Sequence, residues 1–273
     1  MARPIEARSR ALRLGVAGTL IVLLTAAAPG TPQLSTLQLS STQLAARGEA
    51  ISSRIMELQR SGQGQRSIDR TMAREFGLVP VPATAETALV ALSSDASCVN
   101  LPKPTAYYDH GMHIVSASWS WKNKPGTTTR CWTSDTSVYG GNVGGADAFG
   151  IYLNREIIYR SSGGNAYTET NVRTQFVNPE DWDAYGVVYK GQDRSNTGNR
   201  QYTWDHGNVW MYFNVLSCTG TQTFTLKSKM GHTWSSTLLS GASVSDTGIS
   251  FTFTKVENRW QAVNPVAGIY TPC

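Results

Sequence analysis

Twice in this chain an acid stands directly before an imidazole: Asp109-His110-Gly111 and Asp205-His206-Gly207. An aspartate bonded to a histidine fixes the ring tautomer, the arrangement that a general base or a metal ligand requires. Between the two lie further echoes, Asp147-Ala148-Phe149-Gly150-Ile151 and Asp183-Ala184-Tyr185-Gly186-Val187. Convergence of Asp109, His110, Asp205 and His206 on one centre would make a site. The plainer reading is turn chemistry before a strand, with Asp folding back on the backbone and Gly taking positive φ. That turn reading is the one expected here.

Metal chemistry finds little support in the spacing. His110 and His113 are three residues apart, so in an extended chain they point to opposite faces, and His206 and His232 add no recognisable ligand pattern. Asp181-Trp182-Asp183 opens like a calcium loop, but position five is Tyr185 and position twelve is Gln192, which leaves the oxygen cage incomplete. Neither a metal nor a cofactor is expected.

Glu156, Glu169, Glu180, Asp181 and Asp183 supply enough carboxylates for an acid/base pair. A nucleophile-elbow Gly-x-Ser-x-Gly, a His-Glu-x-x-His and a P-loop are all missing from the sequence, and nothing calls for Ser161 or Ser162 as a nucleophile. The positive signal is aromatic. Residues 98–273 hold 25 Phe, Trp and Tyr among few charges and many Asn, Ser, Thr and Gly. Sugar rings stack their C–H faces on Trp and Tyr while amides and hydroxyls take the sugar hydroxyls. Trp182, Trp204 and Trp234 flank expected loops, and with Asp183 and Tyr185 they form the candidate ligand-binding set. Trp119, Trp121 and Trp210 sit in strand patterns and are assigned to the core.

The elements that must position these residues read as all-β. Residues 112–121 alternate His113, Val115, Ala117, Trp119 and Trp121 against Ser116, Ser118 and Ser120, which predicts a strand with one wet face. Residues 167–177 and 249–256 alternate similarly, while 209–216 is apolar nearly throughout, as in a central strand buried on both faces. Weaker strands are expected near 149–153, 156–160, 184–190, 200–204, 221–228 and 259–263. Turn clusters such as Gly140-Gly141-Asn142, Ser162-Gly163-Gly164-Asn165 and Asn196-Thr197-Gly198-Asn199 separate them. About ten short strands predict an antiparallel β-sandwich of jelly-roll type, with a closed barrel as the alternative.

Ahead of this domain the composition changes. All eight Trp, eleven Tyr, four Cys and four His lie beyond residue 97. Arg3, Arg8, Arg10 and Arg13 precede an apolar run, Leu14 to Ala28, that closes in small residues, so residues 1–30 read as an export signal. Residues 31–77 hold a helical segment. Leu44, Ile51, Ile55 and Leu58 recur at helical spacing, and Ile68, Met72 and Phe76 repeat it. Ser40 with Gln43 offers a capping box, the Gly62–Gly64 stretch a break and Gly77 a stop. That hairpin reads as a pro-segment or as a permanent packing element, followed by a linker over 78–97.

Cys98, Cys131, Cys218 and Cys273 make an even count behind an export signal, which predicts two disulfides in one of three connectivities. Residues 98–273 carry 14 Lys and Arg against 12 Asp and Glu, so no basic footprint for nucleic acid is present and the overall charge of +5 belongs mainly to the leader. No membrane span is expected once the signal is removed. The sequence therefore points to a secreted, disulfide-bonded β-sandwich that binds a carbohydrate or cell-surface ligand without chemistry. A secreted hydrolase held latent by residues 40–77, with glycans among its candidate substrates, and a protein-interaction role (inhibitor, toxin or envelope component) are the alternatives.

Overall fold

The N-terminal helices are punctuated as their sequence dictates. In helix α1 (Ser41–Arg60) the Ser40 hydroxyl accepts from the Gln43 backbone N–H, and the Gln43 side chain returns the bond to Ser40 N. Helix α2 (Gln65–Phe76) ends at Gly77, whose φ of 69° is the left-handed stop that glycine adopts without strain. The structure, a computed structural model, describes residues 39–83, 98–122, 141–142, 145–175, 179–195, 203–216, 223–234, 236–257, 259–264 and 268–270. The expected export signal, most of the 78–97 linker, and Cys131, Cys218 and Cys273 lie outside them. Cys98 is buried and is not a free thiol.

Seventeen strands are assigned among the described residues. The first eight are β1 (Val79–Pro80), β2 (Val99–Asn100), β3 (Thr105–Asp109), β4 (Met112–Trp121), β5 (Gly141–Asn142), β6 (Asp147–Leu153), β7 (Ile157–Tyr167) and β8 (Arg173–Gln175). The remainder are β9 (Pro179–Asp183), β10 (Gly186–Gly191), β11 (Arg194–Ser195), β12 (His206–Val215), β13 (Phe224–Thr233), β14 (Leu239–Ser245), β15 (Gly248–Phe253), β16 (Arg259–Val263) and β17 (Gly268–Tyr270). One antiparallel sheet runs β1-β3-β4-β12-β7-β8 with β2 beside β4; a second runs β16-β13-β6-β10-β9 with β17 beside β13. Their inner faces share one core, in which Val115, Trp119, Val209 and Met211 meet Phe149, Ile151, Val187 and Leu226. The expected all-β sandwich with a short helical N-terminal part is thus the observed architecture.

Both outer faces are also covered. The α1–α2 hairpin lays Ile51, Ile55, Leu58, Ile68 and Met72 on Tyr107, Ile114, Trp210 and Tyr212 of the first sheet. The β14–β15 hairpin, with Leu239, Val244 and Ile249, lies on Ala148, Tyr152 and Val188 of the second. The sandwich is therefore the middle pair of four layers.

That cover corrects one expectation. The serine face of β4 is not wet: Ser116 and Ser118 are buried under α1, with Ser116 bonded to Ser52 at 2.6 Å and Ser118 to Gln59 at 2.6 Å. The expected strand at 167–177 is broken, because β7 ends at Tyr167 and a turn with Asn171 at φ 61° precedes β8. The start of the expected linker is ordered, with β1 paired to β3 and Leu78 and Val81 buried.

The Ser162–Asn165 cluster, expected as a turn, is strand interior. Gly163 lies opposite Trp210, and a Cβ there would stand 2.5 Å from Trp210 Cζ2. Glycine at this position answers a close approach between β7 and an indole rather than a change of chain direction.

Candidate functional site

The two Asp-His pairs do not meet. In the β4–β12 ladder His113 lies opposite Phe213 and Ser120 opposite His206, so the pairs occupy opposite ends of the first sheet. Each is tied to α1 by an arginine, Arg47 or Arg60, and thirteen helical residues span about 20 Å.

At the first pair, His110 and Gly111 have φ of 49° and 77°, the two positive values of a tight hairpin turn between β3 and β4. Asp109 accepts from Arg47 Nε and Nη2, both at 2.8 Å, from His110 Nδ1 at 2.7 Å and from the Tyr212 hydroxyl. Burial pushes its carboxyl up, but those three donors outweigh it and hold Asp109 below the ordinary carboxylate value.

At the second pair, Arg60 Nη1 donates to His206 Nε2 at 2.7 Å, so the ring proton sits on Nδ1, 2.8 Å from Asp205 Oδ2. Tyr167 stacks on the ring at 5.2 Å. With both nitrogens engaged, His206 is a docking residue for the end of α1. Gly207 lies within β12 instead of taking a positive-φ turn, and it leaves room for the Trp119 indole.

The aromatic candidates separate. Trp182 is 54% exposed and stacks on Tyr159 at 4.6 Å. Trp204 is 2% exposed, a core residue against Trp119, so it is no surface platform. Trp234 is half-buried and stacks on His232. Asp183 Oδ1 accepts from Tyr185 N at 2.6 Å in the β9–β10 turn, and Tyr185 packs toward the β14–β15 layer. Burial, followed by the nearby Asp181 and Asp246, pushes the Asp183 carboxyl up. The five candidates therefore form no single site; Trp182 alone presents an open ring face.

Two assemblies were not read from the sequence. The first joins Asp147, Asp193 and His232, which are all buried, with potential ligand atoms within 4.8 Å of one another. Strands β13 and β6 and the segment that follows β10 bring them to one end of the second sheet, where His232 Nδ1 lies 2.8 Å from both Asp147 oxygens. Trp121, Trp234 and Trp260 surround the imidazole. These three are the residues of the described chain with the ligand types and closeness to hold a metal ion. As an Asp–His hydrogen bond sealed by indoles, the arrangement also ties the end of β6 to that of β13.

The second assembly is a pocket of about 240 Å³ that wraps β7 beside α1. Ala45 and Glu49 of α1 form one wall. Ser162, Gly163, Gly164 and Asn165 of β7 form the floor with Trp210, and Arg173, Pro179 and Tyr189 complete the rim. The register explains how β7 serves both faces. A bulge between Tyr212 and Phe213 pairs them with Ser161 and Tyr159, which places Tyr159 and Ser162 on one face although they are three residues apart. The Ser162 hydroxyl accordingly bonds the hydroxyls of both Tyr159 and Tyr189, each at 2.9 Å. Ser162 is thus held by two phenols, not by a histidine, so it lacks the partner of a nucleophilic serine. Burial pushes the Tyr189 phenol well up, so that it stays a neutral donor.

At the floor, the buried Trp210 Nε1 and Asn165 Oδ1 have no hydrogen-bond partner. Across the mouth, Arg173 Nη1 reaches Glu49 Oε1 at 2.5 Å. The exposed Trp182 ring connects to this pocket through Tyr159, whose hydroxyl bonds Ser162 of the pocket floor. Glu49 and Trp210 are 161 residues apart in sequence, so no local pattern announces their meeting. The one local signal was the Ser162-Gly163-Gly164-Asn165 run. No family model matches the chain, and neither a curated protein nor a solved structure shows significant similarity to it.

Proposed function

We propose that this is an exported, disulfide-bonded β-sandwich protein that binds a saccharide in the pocket along β7, without covalent chemistry. The observation that supports this most is a pocket rich in hydroxyl and amide groups whose Ser162 is hydrogen-bonded to Tyr159, the ring on which the exposed Trp182 stacks. An indole face open to solvent suits the C–H face of a sugar ring. The half-buried Ser162 hydroxyl and the Gly163-Gly164 backbone suit sugar hydroxyl groups, which accept and donate alike. The pocket is smaller than the roughly 300–1,000 Å³ typical of drug-sized sites, a size for one small polar unit with the rest of the chain lying over Trp182.

The α1 wall gives the hairpin a place in the working protein. Ala45 and Glu49 border the pocket from the helix, so the site has its second side only while α1 is docked. Export from the cell and two disulfides among Cys98, Cys131, Cys218 and Cys273 belong to the same proposal, as the setting in which a surface glycan would be met. A glycan array probed with the exported protein and with Trp182→Ala tests it. Binding to a defined glycan set that falls at least tenfold in the variant is expected. Absence of binding to any glycan, or binding indifferent to Trp182, overturns it.

A further inference from the structure

Resting on the saccharide-binding reading, we infer that the unit entering the pocket is an acidic sugar, a uronic or sialic acid, whose carboxylate takes the place of Glu49 against Arg173. Arg173 is the one cation among the described residues that line the pocket. A carboxylate already sits on it: Glu49 reaches from α1 across the mouth to β8, 2.5 Å from Arg173 Nη1. The partners are 38% and 50% exposed respectively, so this is a surface ion pair, worth about 0–1 kcal/mol. Exchanging one carboxylate for another on such a pair costs little, whereas the planar guanidinium fork rewards an incoming carboxylate with two parallel hydrogen bonds.

The rest of the pocket fits the same ligand. Ser162, the Gly163-Gly164 backbone and Asn165 carry groups for ring hydroxyls and amides, and none of them brings a further charge. Glu49 has a second effect, since it repels any anion until it swings aside. It therefore sets the threshold at which an acidic unit enters, and a neutral sugar would leave the ion pair closed.

The test is an array of uronate- and sialate-terminated glycans beside their uncharged and sulfated counterparts, probed with the full chain, Glu49→Gln and Arg173→Gln. Both side chains are exposed enough for either variant to fold. Preference for the carboxylated glycans is expected, with Glu49→Gln tightening them about three- to tenfold, the size of a released surface ion pair and a removed like charge. Arg173→Gln should weaken them at least tenfold and leave uncharged glycans unchanged. Equal or tighter binding of uncharged or sulfated glycans, or no gain in Glu49→Gln, overturns the acidic assignment while the saccharide pocket stands. Failure of every glycan to bind overturns both.

Discussion

Gly163 lets the Trp210 indole lie against the backbone of β7: a β-carbon at that position would meet Cζ2 at 2.5 Å and Nε1 at 2.9 Å. From the other side Gly48 of α1 gives the same ring room, since a Cβ there would stand 2.5 Å from Cε3. One indole thus registers the helix on the sheet and forms the floor of the pocket. Glycine in a helix interior costs about 1 kcal/mol against alanine, and the sequence accepts that cost at residue 48.

The tryptophan contact outweighs helix propensity. Gly48→Ala gains about 1 kcal/mol of propensity but forces an overpacked ring, typically 1–3 kcal/mol. A net loss of up to about 2 kcal/mol in urea unfolding is expected. Gly64→Ser, at the open N-cap of α2, should by contrast stabilise by a few tenths of a kcal/mol and serves as the control.

Exposure separates binding from stability at Trp182. The ring is more than half exposed, so Trp182→Ala should move the unfolding midpoint by no more than about 0.5 kcal/mol while glycan affinity falls tenfold or more. A matched loss of stability and binding would make the residue a packing element instead.

Asp109 carries a pH signature. Its folded value lies below the ordinary one because three donors outweigh burial, so the stability it contributes is fully present above the unfolded value near 3.9 and is lost as pH falls through the folded value. Asp109→Asn should cost roughly 3 kcal/mol at pH 7, since it leaves Arg47 without its carboxylate. That difference should shrink steadily below about pH 4. Unfolding curves of both proteins from pH 2 to 7 measure it.

Removal of the hairpin distinguishes its two readings. A chain beginning at residue 78 would bare Tyr107, Ile114, Trp210 and Tyr212 on one outer sheet face. Aggregation or strong binding of an apolar dye is expected. A stable, monomeric domain with unchanged strand content would instead mark the hairpin as a removable pro-segment.

What the sequence made legible was local. The Ser40–Gln43 box, the Gly77 stop and the strand over residues 112–121 each depend on neighbours within a few positions, and each appears in the structure. What it concealed depends on tertiary contact. Ser116 and Ser118 alternate as a wet face should, yet their cover comes from α1, sixty residues earlier in the chain. Gly163 stands in a run with the composition of a turn, while the reason for glycine there, the Trp210 ring, lies on another strand. Trp182 and Trp204 both follow polar residues near loops, and only the packing of Trp204 on Trp119 sends one inward and leaves the other outside. The pocket draws on α1, β7, β8, β9, β10 and β12, so its residues share no sequence neighbourhood.

The most direct test of the account is the indole N–H spectrum of the ¹⁵N-labelled protein during titration with the tightest glycan from the array. Trp210→Phe and Trp182→Phe assign the two signals that matter. A saturable shift of the Trp210 Nε1–H, with Trp182 moving in parallel and the indoles around His232 unmoved, is the expected result. Titration that moves the Trp121, Trp234 or Trp260 signals and leaves Trp210 in place would put the ligand at the other end of the sandwich and contradict the pocket as its site.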